Sequence, residues 1–153
     1  MKRLPMNEQP CPIARSLDIF GEWWSLIILR ECFSGVTRFD DFQKNLGISK
    51  NTLTARLNKM VERGVLRRVP VAPGALREHY KLTEMGKELH TVFIALRQWG
   101  DKWTFNGELP PNVVVERKNG RPVAPVQVRS QTGKVLKPRD TMLVKPGSAR
   151  DAA

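Results

Sequence analysis

Cysteine, histidine and long apolar runs are all scarce in this 153-residue chain. Two cysteines, Cys11 and Cys32, are too few for a disulfide framework, which points to a reducing cytoplasm. The two histidines, His79 and His90, do not stand at metal-ligand spacing from the cysteines, so neither a metal nor another cofactor is assigned. No apolar run approaches the about 18–20 residues that span a bilayer. Met1 to Pro12 lacks the apolar region of a signal peptide. A glycine-rich phosphate loop, a nucleophile–base pair and paired carboxylates in a pocket are missing too, so nothing points to an enzyme. Acidic residues are in short supply: 15 Asp and Glu face 26 Lys and Arg, giving a net charge of +11 and a pI near 10.3. Such an excess attracts polyanions through long-range fields and counterion release. Nucleic acid leads. An anionic membrane would call for a basic amphipathic helix with an aromatic insertion face, and none is present. The remaining alternative is a basic soluble protein with no polyanion partner.

The pattern that is present is helical. After a polar arm at 1–10, Pro12 suits the first position of a helix in which Ile13, Leu17 and Phe20 share a face. Trp23 to Phe33 is apolar nearly all round, with Trp23, Trp24, Leu26, Ile27, Ile28 and Leu29, and reads as the central core helix. Asp40 to Leu46 is a short helix, acidic in its first turn as the dipole prefers, with Phe39, Phe42 and Leu46 inward. Gly47 turns the chain. Ser49 then caps a helix that runs to Arg63 and stops at Gly64.

That helix carries one buried stripe, Leu53, Leu57 and Met60. Asn51, Thr52, Ala55, Asn58 and Lys59 lie away from it, with Lys50, Thr54 and Arg56 on the flanks. Taken alone it fits an ordinary amphipathic surface helix as well as one that enters a DNA major groove. Short side chains permit close approach, amides and hydroxyls meet base edges, and cations meet phosphate or guanine. The stretch of chain after Gly64 decides between them. Val65–Val71 and Glu78–Leu82 are two strands around the turn 72–75, forming a hairpin with Arg67, Arg68, Arg77, His79 and Lys81. Thr83 then caps a helix reaching Phe105. A helix pair with a cationic ribbon directly after it is a winged helix-turn-helix. The expected fold is mainly α with a β-hairpin wing, plus a small β-rich C-terminal appendage. Asn51, Thr52 and Ala55 are expected at bases, and Ser49, Lys50, Arg56 and Lys59 at phosphates or bases, with Thr54 beside them. Arg77 and His79 are expected at the backbone or minor groove. Arg67 and Arg68 are further candidates, one of which can face its own domain instead.

Cys11-Pro12, Gly21-Glu22-Trp23-Trp24-Ser25-Leu26-Ile27-Ile28-Leu29-Arg30, Arg38-Phe39-Asp40-Asp41-Phe42, Gly47-Ile48-Ser49 with Leu53, Arg56 and Leu57, Glu62-Arg63-Gly64-Val65-Leu66, and Tyr80-Lys81-Leu82-Thr83-Glu84-Met85-Gly86-Lys87 occur in order. Over residues 11–103 the chain resembles the HxlR family of bacterial winged-helix transcription regulators. The resemblance implies a homodimer, formed by the first and last helices, on a double-stranded operator with two half-sites. The stripe Leu89, Val92, Phe93, Leu96, Trp99 and Trp103 agrees, being longer than one small core needs. A second subunit would cover it together with Ile13, Leu17 and Phe20; the alternative is packing on its own domain. The resemblance also suggests a thiol switch at Cys11, which stands at a helix N-terminus with Arg15 one turn on, where a thiolate is favoured. The alternative is an inert cysteine near the subunit interface. Cys32 reads as a small buried hydrophobe.

The expected domains are a flexible arm at 1–10, the DNA-binding and dimerisation domain at 11–106, a basic appendage at 107–145 and a disordered tail at 146–153. Within the appendage, Val113–Glu116, Val126–Arg129 and Val135–Leu136 are β-like, separated by Asn119-Gly120 and Thr132-Gly133. In longer family members this region resembles a zinc ribbon. Here Glu116, Asn119, Arg129 and Thr132 stand where His and Cys would ligate, so a metal-free ribbon is expected; a disordered basic tail is the alternative. The function expected is a regulator of transcription, a repressor, answering an electrophile through Cys11 or a small ligand at the dimer interface near Trp23, Trp99 and Trp103. The rival is an architectural or general nucleic-acid-binding protein without an effector.

Overall fold

Pro12 opens α1, Pro12–Phe20, and Gly21 closes it, its N–H donating to Leu17 O. α2 spans Trp23–Phe33, α3 Phe39–Leu46 and α4 Lys50–Glu62. The computed structural model describes residues 5–145. The first four residues of the expected arm and the expected tail at 146–153 lie outside them. Where the sequence reads as a loose arm, Met6–Glu8 closes one turn of 3-10 helix.

The chain divides into two compact units, one ending at Ile94 and one starting at Ala95. The first holds a core of Ile28, Leu29, Phe42, Ile48, Leu53, Leu57, Met60, Val65 and Leu66. These come from α2, α3, α4, the strand start at Leu66 and the connections at Ile48 and Val65, so the core is the scaffold on which α4 is mounted. The α4 stripe predicted from spacing is all buried there. Trp23 departs from expectation: it is 64% exposed and stacks on Trp24 with ring centroids 4.0 Å apart. Glu31 is a buried charge that apolar periodicity does not flag. Its carboxylate meets Arg30 at 2.8 Å and accepts from the Asn45 side chain at 2.8 Å, which ties α2 to α3. A buried carboxylate needs such partners to offset its desolvation.

Gly47 ends α3 in the left-handed conformation, φ 60°, which costs a glycine nothing sterically. Ser49 caps α4, its Oγ accepting from Thr52 N at 3.2 Å. At the other end Val65 N–H donates to Met60 O at 2.9 Å, so Val65 closes the helix instead of starting the strand. β1, Leu66–Pro70, pairs antiparallel with β2, Glu78–Leu82, in the register Leu66↔Leu82, Arg67↔Lys81, Arg68↔Tyr80 and Val69↔His79. Tyr80 N–H also donates to Thr37 O at 2.8 Å, anchoring the hairpin to the lead-in of α3. Thr83 joins three elements: its hydroxyl accepts from Gly86 N at 3.1 Å and donates to Gly64 O at 2.6 Å. α5, Glu84–Trp103, starts there.

The second unit contains the end of α5 and the appendage. Gln98 binds it on both sides of the amide, donating to Ala124 O at 3.0 Å and accepting from Val126 N at 2.7 Å. Arg97 donates to Asn112 Oδ1 at 2.7 Å. These bonds tie the appendage to the C-terminal half of α5. Three β segments were expected, but the described residues show isolated bridges, Val115↔Pro122 and Arg129↔Val135, around two tight turns. The would-be ligand positions are tied by hydrogen bonds: Asn119 donates to the Glu116 carboxylate, and Arg129 donates to Gly133 O and Gln127 Oε1.

Candidate nucleic-acid interface

The surface of α4 left over by the core is small and polar. Lys50, Asn51, Thr54, Ala55 and Asn58 are exposed, with Ser49 at the cap; Thr52, Arg56 and Lys59 are half-buried. Thr52 is engaged locally, its Oγ1 lying 2.8 Å from Ser49 Oγ. Thr54, a flank residue by sequence, therefore stands more openly than Thr52, which was expected at a base.

Arg56, expected at DNA, points the other way. Its guanidinium lies 3.2 Å from the Glu22 carboxylate at the start of α2 and is 22% exposed. Two turns further, Arg63 meets Asp18 of α1 at 2.7 Å. The reason is geometric: both positions flank the buried stripe, so their long side chains reach back along the scaffold. These two pairs clamp α4 onto the α1–α2 junction.

The hairpin separates its cations by face. Arg68 is exposed but engaged with its own domain. It donates to Asn58 Oδ1, lies 3.7 Å from the Glu78 carboxylate and sits 5.9 Å from the centre of the Tyr80 ring. Arg67 and Lys81 are exposed and directly opposite each other. A like-charged cross-strand pair is unfavourable alone and is relieved by an anion. Lys81 was not among the expected contacts; its register partner identifies it. Arg77 is exposed, but His79 is not where it was expected: it is half-buried, its Nδ1 3.5 Å from Thr37 Oγ1 and its Nε2 shielded from solvent. With Arg38, Asp40, Asp41 and Glu78, these two residues line a cleft of about 370 Å³.

Residues 19–108 match the HxlR-like helix-turn-helix family. The chain belongs to that family. It has the winged helix fold, and the relatives it matches are described as helix-turn-helix transcriptional regulators. An uncharacterised HTH-type transcriptional regulator of Mycobacterium tuberculosis is 44% identical over 99 residues, 65% of this chain and 63% of that protein, so the match spans less than two thirds of its length. The crystal structure of PA1607, described as a candidate transcription factor, is 42% identical with a TM-score of 0.86 over 91% of this chain and 97% of that one. Quinone-bound YodB from B. subtilis is 25% identical with a TM-score of 0.53 over 61% of this chain and 99% of that one.

The two thiols of this family member differ in setting. Cys11 is exposed at the N-cap of α1. The Arg15 side chain expected beside it donates to Gln9 O at 2.6 Å. Burial, with the adjacent Glu31 carboxylate adding to it, pushes the Cys32 thiol up to about 12. Of the expected dimer residues, Ile13, Leu17, Val92, Leu96, Trp99 and Trp103 are exposed, up to 70% for Ile13. Phe20 and Leu89 pack on the core of their own unit, and the Phe93 ring lies 5.4 Å from Phe33. These three serve their own domain because α1 and α5 each turn one edge of the apolar face inward. Among the described residues no three or more His, Cys, Asp or Glu are grouped to hold a metal, and no helix is long and apolar enough to cross a membrane.

Proposed function

We propose that this chain is a homodimeric repressor that reads a two-half-site operator with α4 and is released from it by chemistry at Cys11. The observations that carry the reading of DNA are the exposed strip Lys50, Asn51, Thr54 and Ala55 on α4 and the exposed pair Arg67 and Lys81 on the hairpin that follows it. The strip has room for base edges and the hairpin supplies charge for phosphates.

The dimer is supported by the exposed apolar residues at 92, 96, 99 and 103 of α5, spaced as one helix face, with Ile13 and Leu17 of α1. Exposed apolar helix faces of this kind ask for a partner. A two-fold pair of α4 helices would address half-sites one DNA turn apart. The thiol response is supported by the exposure of Cys11 and by the likeness to a quinone-bound regulator.

Footprinting on the DNA beside the gene, with excess random duplex at physiological salt, tests the central claim. Protection of two half-sites is the expected result; loss of binding to the competitor identifies a general nucleic-acid binder instead. Sedimentation tests the dimer. Exposure of wild type and Cys11→Ser to a quinone tests the thiol: equal loss of DNA by both rejects it and leaves a ligand at the subunit interface as the effector.

A further inference from the structure

The appendage spanning residues 107–145 carries eight Lys and Arg against three acidic residues, a net of +5 (8 − 3). In the first unit Arg30, Arg56, Arg63, Arg68 and Lys87 each meet a carboxylate. In the appendage Arg117, Lys118, Arg121, Lys134 and Arg139 form no ion pair among the described residues and are exposed.

Three of these cations sit on one turn, 116–121, and that turn is fixed. Glu116 N–H donates to Arg121 O at 2.7 Å, Gly120 N–H to Glu116 O at 2.8 Å, and Arg121 N–H to Asn119 Oδ1 at 2.8 Å. The one carboxylate in the turn accepts from the Asn119 amide. Gly120, at φ +69°, lets the chain reverse. The turn therefore presents Arg117, Lys118 and Arg121 from a hydrogen-bonded frame, where a ribbon of this type would hold a metal. The frame fixes where these three side chains leave the backbone, so no backbone ordering is needed when they meet an anion.

We propose that this turn is a second surface for the phosphate backbone of duplex DNA, independent of sequence. It adds charge-based affinity to that of α4 and the hairpin, and it rests on the reading of the chain as a duplex-DNA binder. Duplex is favoured over single strands because the turn offers charge and no aromatic side chain on which a base could stack.

The test is a salt titration of full-length protein on operator and random duplexes. Combined Arg117→Gln, Lys118→Gln and Arg121→Gln should weaken both complexes by the same factor, about tenfold at low salt, and lower the salt slope by about 2–3. The ratio of operator to random affinity should not change. Glu116→Gln keeps an acceptor for Asn119, removes the opposing charge and should tighten both complexes severalfold. Unchanged affinity and slope in the triple variant, a changed operator ratio, or preference for single-stranded RNA overturns the proposal. If Arg77→Gln weakens binding and the triple variant does not, only the second surface falls. If wild type binds no duplex, both readings fall.

Discussion

The Arg68 guanidinium of the wing donates a hydrogen bond to the Asn58 side chain of α4. An arginine that sequence marks as a phosphate contact is thus a strut between the two elements that face DNA. Arg68→Ala and Asn58→Ala should each weaken operator binding without lowering its salt dependence, because no phosphate contact is removed. In a double-mutant cycle the two losses should not add, with a coupling of about 0.5–1 kcal/mol. Full additivity would show that the contact does not join wing and helix.

Base reading and phosphate binding should come apart by residue. Asn51→Ala and Thr54→Ala should relax operator preference, each costing about 1–3 kcal/mol of discrimination where a base contact is lost. Arg77→Ala should instead weaken all duplexes alike and reduce the salt slope by about 1. Competition titrations at several salt concentrations separate the two. An intact preference in both α4 variants would mean that another face of the helix reads DNA.

Gly86 is a packing constraint between α5 and the α4–β1 junction. A Cβ there would lie 2.2 Å from Val65 O and 3.0 Å from Leu82. The first neighbour is backbone and cannot swing aside. Gly86→Ala should therefore lower stability by about 1–3 kcal/mol, the range of overpacked cores, read by urea unfolding. An unchanged midpoint would mean that α5 shifts freely at its start.

The two thiols should be separable by pH. With its thiol pushed up to about 12 from an ordinary 9.0, Cys32 stays protonated at neutral and mildly alkaline pH. Iodoacetamide at pH 8 should label Cys11 in the folded chain and Cys32 only after unfolding, as mass spectrometry would show. The linkage has a definite sign. Between pH 9 and 12 the unfolded thiol releases its proton while the folded one keeps it. The unfolded state is thereby favoured, so stability is unaffected by Cys32 below pH 9 and falls as pH rises toward 12. Cys32→Ala should flatten that alkaline loss.

Much of the scaffold was legible because its signals are local. Leu53, Leu57 and Met60 are one helix face at any position in the fold, and all three are buried. Ser49, Gly47, Gly64 and Thr83 act through hydrogen bonds or backbone angles within a few residues, and each occupies the cap or stop predicted for it. The α–α–α–α–hairpin–α order came with them, and so did the winged helix. The appendage was less legible, because its segments at 112 and 124–126 are held by Arg97 and Gln98 of α5, which are distant in sequence.

Sequence by itself determined which residues are apolar, where helices begin and stop, and that positive charge is in excess. Tertiary structure decided which positive charges are free. Arg56 and Arg68 look like DNA contacts in a list of cations, yet Glu22 and Asn58 claim them. His79 turns toward Thr37, and Phe20, Leu89 and Phe93 turn into their own unit. A capping bond spans three residues and is written in the chain. An ion pair between helices spans 34 residues for Glu22 and Arg56 (56 − 22), and only the packed core brings its partners together.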